Sequence, residues 1–341
     1  MTENSTPRQM LKELLQGIPQ TRPLFLTIVF SLGAKVENLP LREFLGNATK
    51  ISNSLRQIRS HLRADGVACY FDPSLEAEAL GAVLRWQTPE HPPTIQWPHH
   101  AEKGEVPEGL RSPEDAAKGT RVTVAVEAIR RLKSLLRDEP LLMAGVAGPF
   151  TLAARITGLR KEDVSRREKF SDTALELSAA TITQIASKFV EAGANVIFIQ
   201  EDVVPKLSVE DCETWASSLA PAINIVRFYE ALPVLQIMDS HSFAENKLVI
   251  FQQNWDCVIC PALAASAFSA WEMVPSSGFA NLGIALGPEA FQPEASTAET
   301  LLELFHAFIK KSRPAIVTTA GDVPVATDLK FLARVREKAI F

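Results

Sequence analysis

Five carboxylates and one histidine sit where short apolar runs end. Asp72 closes GVACYFD, Glu201 and Asp202 close ANVIFIQED, Asp239 and His241 follow PVLQIM, and Asp322 follows AIVTTAG. Carboxyl and imidazole groups are the ordinary proton carriers near neutral pH. Clustered acids also raise one another's pKa, so one of them can keep a proton to give away. Asp72, Glu201, Asp202, Asp239 and His241 are therefore the expected catalytic residues. Glu201 and Asp202 are adjacent, so a strand would turn their side chains to opposite faces. Glu76 and Glu78 follow Asp72 closely and read as the solvated face of a helix.

A second group reads as substrate-binding: Trp97, Phe150, Arg155, Gln236 and Asp322. Trp97 and Phe150 offer apolar surface, and Arg155 offers a charge for an anion. Gln236 interrupts an apolar run, and a buried amide must find hydrogen bonds or cost ~1–3 kcal/mol. It would bond either a neighbouring strand or the substrate. Cys257 and Cys260 form a C-x-x-C within a run that reads as a strand. Residues three apart on a strand face opposite ways, so the pair reads as core cysteines rather than a metal clamp. The remaining metal alternative is Cys260 with Glu201 and His241. His99 and His100 are adjacent and lack evident further ligands.

The elements that must position these residues follow a simple alternation. Eight apolar runs (PLFLTIVF, GVACYFD, LLMAGVAGP, ANVIFIQED, PVLQIMDS, DCVICP, NLGIALG and AIVTTAGD) are separated by mostly helical segments. That order predicts an α/β chain folded as a single TIM-type (β/α)8 barrel, with chemistry at the C-terminal ends of the strands. Residues 1–22 read as a polar, helical N-terminal extension, and residues 23–341 as the barrel. Residues 87–111, rich in proline, glycine and histidine, read as a long lid or binding loop. Ser112-Pro113-Glu114-Asp115 reads as one helix start, and Ser208 with Asp211 and Ser296 with Glu299 as two others.

Composition narrows the function classes. The chain has 341 residues, 46% hydrophobic and 22% charged, with net charge −5. An acidic balance argues against nucleic acid as partner. No apolar stretch reaches the roughly 18 residues of a membrane helix. The N-terminus lacks an apolar signal core, and four cysteines do not make a disulfide framework in a chain of this length, so a reducing cytoplasm is expected.

Four stretches carry a family resemblance. DPSLEAEALG (72–81), GPFTLAARITG (148–158), GANVIFIQED (193–202) and GDVPVATDLKFL (321–332) resemble motifs of the uroporphyrinogen decarboxylase superfamily, in order and over most of the chain. The resemblance implies a single distorted barrel and a functional acid at Asp72. Its departures imply more. The arginine-rich stretch that would grip a porphyrinogen is replaced by VFSLGAKVENLPL, the family's tyrosine falls on Arg155, and its late histidine falls near Gly321. The zinc ligands of the thiol-activating branch would fall on Gln236, Met238 and Gly321. The expectation is therefore a methyltransferase working without that zinc set. It would move a methyl group from a small O-methyl donor to a corrinoid protein or to tetrahydrofolate. The alternatives are a decarboxylase or lyase acting on a smaller acid, and a non-catalytic binding protein. The expected partners are the small-molecule donor, a corrinoid protein and a second copy of the chain in a homodimer, with no membrane and no nucleic acid.

Overall fold

The computed structural model describes residues 5–97, 104–137, 139–262, 281–287, 313–327 and 329–340, with isolated positions between 303 and 310. The barrel strands are β1 (Leu24–Phe25), β2 (Gly66–Tyr70), β5 (Leu141–Ala147), β6 (Val196–Glu201), β7 (Leu232–Ile237), β8 (Val258–Ala262), β9 (Leu282–Leu286) and β10 (Ile316–Thr319). A separate antiparallel hairpin pairs β3 (Val83–Arg85) with β4 (Thr94–Gln96). The eight barrel strands form one parallel sheet in the order β1-β10-β9-β8-β7-β6-β5-β2. Such strands are covered on both faces, which is why they read as unbroken apolar runs. All seven residues of β5 are buried.

The ring is nearly closed. Between β1 and β2 the seam is held at its base by Asp65, whose backbone N–H donates to the Phe25 carbonyl at 3.1 Å. The Asp65 carboxylate accepts from the Phe25 N–H at 2.8 Å and from Arg22 at 2.6 Å. The first apolar run was expected to be a strand over 23–30, but only two residues pair as ladder. Beyond Leu26 the chain stays beside β10 and takes side-chain acceptors instead, Thr319 Oγ1 for Ile28 and Asp322 for Phe30 and Ser31.

The helices are α1 (Pro7–Leu15), α2 (Leu32–Val36), α3 (Leu41–Leu45), α4 (Ala48–Leu62), α5 (Leu75–Leu80), α6 (Pro113–Ala116), α7 (Thr120–Leu136), α8 (Pro149–Thr157), α9 (Asp172–Ala192), α10 (Val209–Phe228), α11 (Ser240–Ile250) and α12 (Leu329–Ile340). Ser208 and Asp211 form the expected capping box of α10. The helix expected to run on from Ser112 breaks instead, because α6 stops after one turn and Gly119 starts α7. The expected loop 87–111 contains β4, so part of it is a hairpin arm, and residues 98–103 lie outside the described residues. The same holds for most of the expected helices at 262–276 and 297–311 and for His99 and His100. α1 packs Met10, Leu11 and Leu14 into the core.

Candidate active site

At the C-terminal ends of the strands lies a solvent-open cleft, about 490 Å³ when the open space at its mouth is counted. The turn after β2 supplies Phe71, Asp72 and Pro73, α5 supplies Glu76, and β5 supplies Gly145, Val146 and Ala147. Gln200 comes from β6 and Asp202 from just after it, Met238 from just after β7, Arg155 from α8, and Gly321 and Asp322 from the turn after β10. This is where a parallel α/β barrel offers a site.

Asp72, Asp202, Asp322 and Arg155 thus share one cavity, but most of their charge is already matched. The Asp72 carboxylate accepts from Arg121 and from the Ser74 N–H at 2.9 Å. Arg121, in α7, also pairs with Glu78, which is half-buried rather than on a solvated face. Arg155 donates to Asp202 and to the Pro73 carbonyl, both at 2.6 Å. Asp322 accepts the N–H groups of Phe30 and Ser31, each at 2.8 Å, and desolvation still pushes its carboxyl up to about 6.

Several expected positions lie elsewhere. Glu201 is fully buried, and its two oxygens accept the N–H groups of Phe150 (3.1 Å) and Thr151 (2.8 Å) at the start of α8. Negative charge suits a helix N-terminus, yet burial outweighs this and raises the carboxyl to about 7. Gly148 makes the close approach possible, because a Cβ there would lie 2.1 Å from the Glu201 carboxyl carbon. Glu201 therefore caps a helix in the barrel wall instead of lining the cleft. Asp239 caps α11 and bonds Lys161 at 2.5 Å. Burial works against its charge, but Lys161 and the Ser242 N–H win and lower its pKa. His241 is 82% exposed on α11, 3.7 Å from Glu245, with no place in the cleft. Phe150 is 1% exposed, meets Phe170 edge-on and Trp215 at a tilt, and does not line the cleft. Trp97 donates its indole N–H to the Arg155 carbonyl at 2.9 Å, which seats the hairpin arm on α8. Gln236 takes the strand-bonding alternative: it accepts from Gln200 at 2.9 Å and donates to the Thr319 carbonyl at 2.8 Å, across the bore. Its own residue does not line the cleft.

Glu76 is the residue that sequence reasoning missed. Expected on a solvated face, it is 1% exposed and turned into the cleft from α5. One oxygen accepts the Ala147 N–H at 3.0 Å, and the other is buried with no hydrogen-bond partner. Burial pushes the carboxyl up to about 7. The sequence carried no spacing signal for this, because Asp72 precedes the helix that starts at Leu75 and the two residues do not share a helical face.

Comparison with known proteins places this geometry. A family model described as uroporphyrinogen decarboxylase (URO-D) matches residues 6–234. The chain belongs to the uroporphyrinogen decarboxylase family. It is 30% identical over 162 residues to a methylated-thiol–coenzyme M methyltransferase of Methanosarcina mazei, a match covering 45% of this chain and 40% of that protein. It is 26% identical over 129 residues to a methylcobamide:CoM methyltransferase of Methanosarcina barkeri, covering 37% of each. The matches therefore span about two fifths of the length of these curated relatives. Among solved structures, a methyltransferase from Methanosarcina mazei superposes with TM-score 0.76 at 16% identity, covering 98% of both chains. A putative vitamin-B12 independent methionine synthase from Listeria monocytogenes reaches 0.53 at 13% identity, over 94% of this chain and 98% of that one. At such identities these two show the shared barrel fold.

The zinc set of the thiol-activating branch does not fit this member of the family. Gln236 is fully bonded in the bore, and Met238 and Gly321 line the cleft without a thiolate or imidazole to offer. Cys257 and Cys260 are both free and buried, and burial pushes both thiols up, away from the thiolate that a metal requires. Among the described residues no three His, Cys, Asp or Glu side chains converge as ligands, so the alternative of Glu201, His241 and Cys260 is also dropped.

Proposed function

We propose that the chain is a methyltransferase that moves a methyl group from a small O-methyl donor to a corrinoid protein or to tetrahydrofolate. One observation carries the reading: the cleft holds buried and paired acids but no free cation among its described lining residues. Arg155 is committed to Asp202, and Arg121, behind Asp72, to Asp72 and Glu78. A polycarboxylate has nothing to grip there, whereas an uncharged ether would meet apolar surface at Phe71, Val146 and Met238. The similarity to two proteins named as methyltransferases, one of them for methylcobamide, supports the same class.

The reaction joins the acceptor's nucleophilic atom to the methyl carbon and breaks the C–O bond. The oxygen leaves with the electron pair and needs a proton, because an alkoxide or phenoxide leaves poorly. Phe71 and Met238 would hold the donor, and Asp72 with Arg121 and Asp202 with Arg155 would fix the walls. The acceptor would enter from the open side of the cleft. We place the reaction in the cytoplasm, in a chain able to act as a homodimer.

The test is incubation with cobalamin(I), or with tetrahydrofolate, and a panel of methyl ethers. A methylated acceptor and one equivalent of alcohol or phenol are expected. Carbon dioxide release from a carboxylic acid, without a methylated acceptor, would instead establish the lyase alternative, in which Asp72 stabilises an intermediate and Arg155 leaves Asp202 to hold a carboxylate.

A further inference from the structure

The proposed transfer needs an acid, and the expected catalytic acids are all engaged, Asp239 by Lys161 among them. Asp72 is held by Arg121, Asp202 by Arg155, and Glu201 by the start of α8. We propose that Glu76 is the acid that protonates the leaving oxygen, opposite a carbonyl acceptor from Gln200. This rests on the reading of the cleft as a methyl-transfer site. Glu76 is 1% exposed, it lines the cleft, and its second oxygen has no partner. Its first oxygen is pinned by the Ala147 N–H, so the unpartnered one is fixed in place. Ala147 is the register partner of Gln200 across β5 and β6, which brings Glu76 and Gln200 to one end of the cleft floor.

A relay of amides fixes Gln200. Its NH2 is committed to the Gln236 carbonyl, and the Gln236 NH2 to the Thr319 carbonyl on β10. The Gln200 carbonyl oxygen is thus left on the β5 side, 3.2 Å from where a Gly145 Cβ would stand. The floor offers one hydroxyl-type donor and one carbonyl acceptor. An ether can use the first, and the alcohol it becomes can donate to the second. In the step, the acceptor's nucleophile bonds the methyl carbon, the C–O bond breaks with its pair on oxygen, and the Glu76 proton joins that oxygen. The Glu76 carboxylate then takes a proton from water through the open side, and where the acceptor is tetrahydrofolate its methylated nitrogen releases its own proton to that water.

The experiment compares the chain with its Glu76→Gln variant on methyl aryl ethers of graded leaving-group acidity, with cobalamin(I) or tetrahydrofolate as acceptor. The variant is expected to lose about 100-fold or more on methyl phenyl ether, the usual scale of general-acid catalysis, and only a few-fold on methyl nitrophenyl ether. The ratio of the two rates is taken within one sample, so partial unfolding cancels. An equal loss on both ethers overturns the acid role. If the unmodified chain turns over none of the ethers, the reaction reading falls. Infrared difference spectra with added phenol then decide Glu76 separately. A protonated-carboxyl band that shifts with phenol, and is missing from the variant, supports the assignment; unchanged spectra in the variant overturn it.

Discussion

Glu76 and Glu201 are both buried glutamates whose carboxyls burial raises to about 7, yet they serve opposite ends. Glu201 spends both oxygens on backbone N–H groups, while Glu76 keeps one free toward the cleft. The groups around Glu76 set its titration: burial first, then Arg155 favouring its charge and Asp72 opposing it, with Asp202 and Asp322 across the cleft. A donor must carry its proton, so kcat/KM for methyl transfer should be level below pH ~6 and fall as pH rises through about 7. A pH profile measures this, and the fall should vanish in Glu76→Gln. A second consequence concerns Gly148. Gly148→Ala drives a Cβ into the Glu201 carboxyl, and overpacking of this kind costs typically 1–3 kcal/mol. Denaturant unfolding should show that loss. Sequence alone made Asp72, Asp202, Arg155 and Asp322 legible as neighbours of one mouth, because strand ends are legible. It did not show Glu76, because helical spacing alone does not say which face of a six-residue helix meets the barrel. Nor did it separate Glu201 from the cleft, since a cap on α8 depends on where Gly148 passes.

The strands were legible in their apolar runs, and eight of them form the barrel sheet. The first run was misjudged in length because ladder partners depend on a neighbour distant in sequence: beyond Leu26 that neighbour supplies side chains, Thr319 and Asp322. The split between α6 and α7 escaped notice because Gly119 is compatible with either a helix interior or a start. The seam between β1 and β2 rests on Asp65, which serves the Phe25 N–H and Arg22 at once. Asp65→Ala should cost about 1–3 kcal/mol, the usual loss when a buried N–H, here that of Phe25, is left without its acceptor. Hydrogen exchange should then speed up first at Phe25, ahead of the strands from β5 to β7.

Across the whole molecule, buried acids tie stability to pH in an unusual direction. Glu76, Glu201 and Asp322 have folded pKa values above their ordinary ones. Their contribution is complete below the unfolded pKa, and it is lost as pH rises through the folded values, between about 4.5 and 7 for the two glutamates. For Glu201 a rise from 4.5 to about 7 is worth on the order of 3 kcal/mol. Tm should therefore be higher near pH 5.5 than near pH 8, and Glu201→Gln should flatten the slope. Asp239, whose pKa is lowered, acts oppositely and loses its contribution only as the solution becomes more acidic.

The mouth of the barrel as a methyl-transfer site is tested most directly by isotope tracing. A methyl aryl ether labelled with carbon-13 in its methoxy group is incubated with the chain and cobalamin(I) or tetrahydrofolate. The expected result is label on the acceptor with an equal amount of phenol, reduced by at least tenfold in Glu76→Gln at neutral pH. Label that stays on the ether with both acceptors would contradict it, whereas a labelled acceptor formed equally well by the variant would overturn only the role of Glu76.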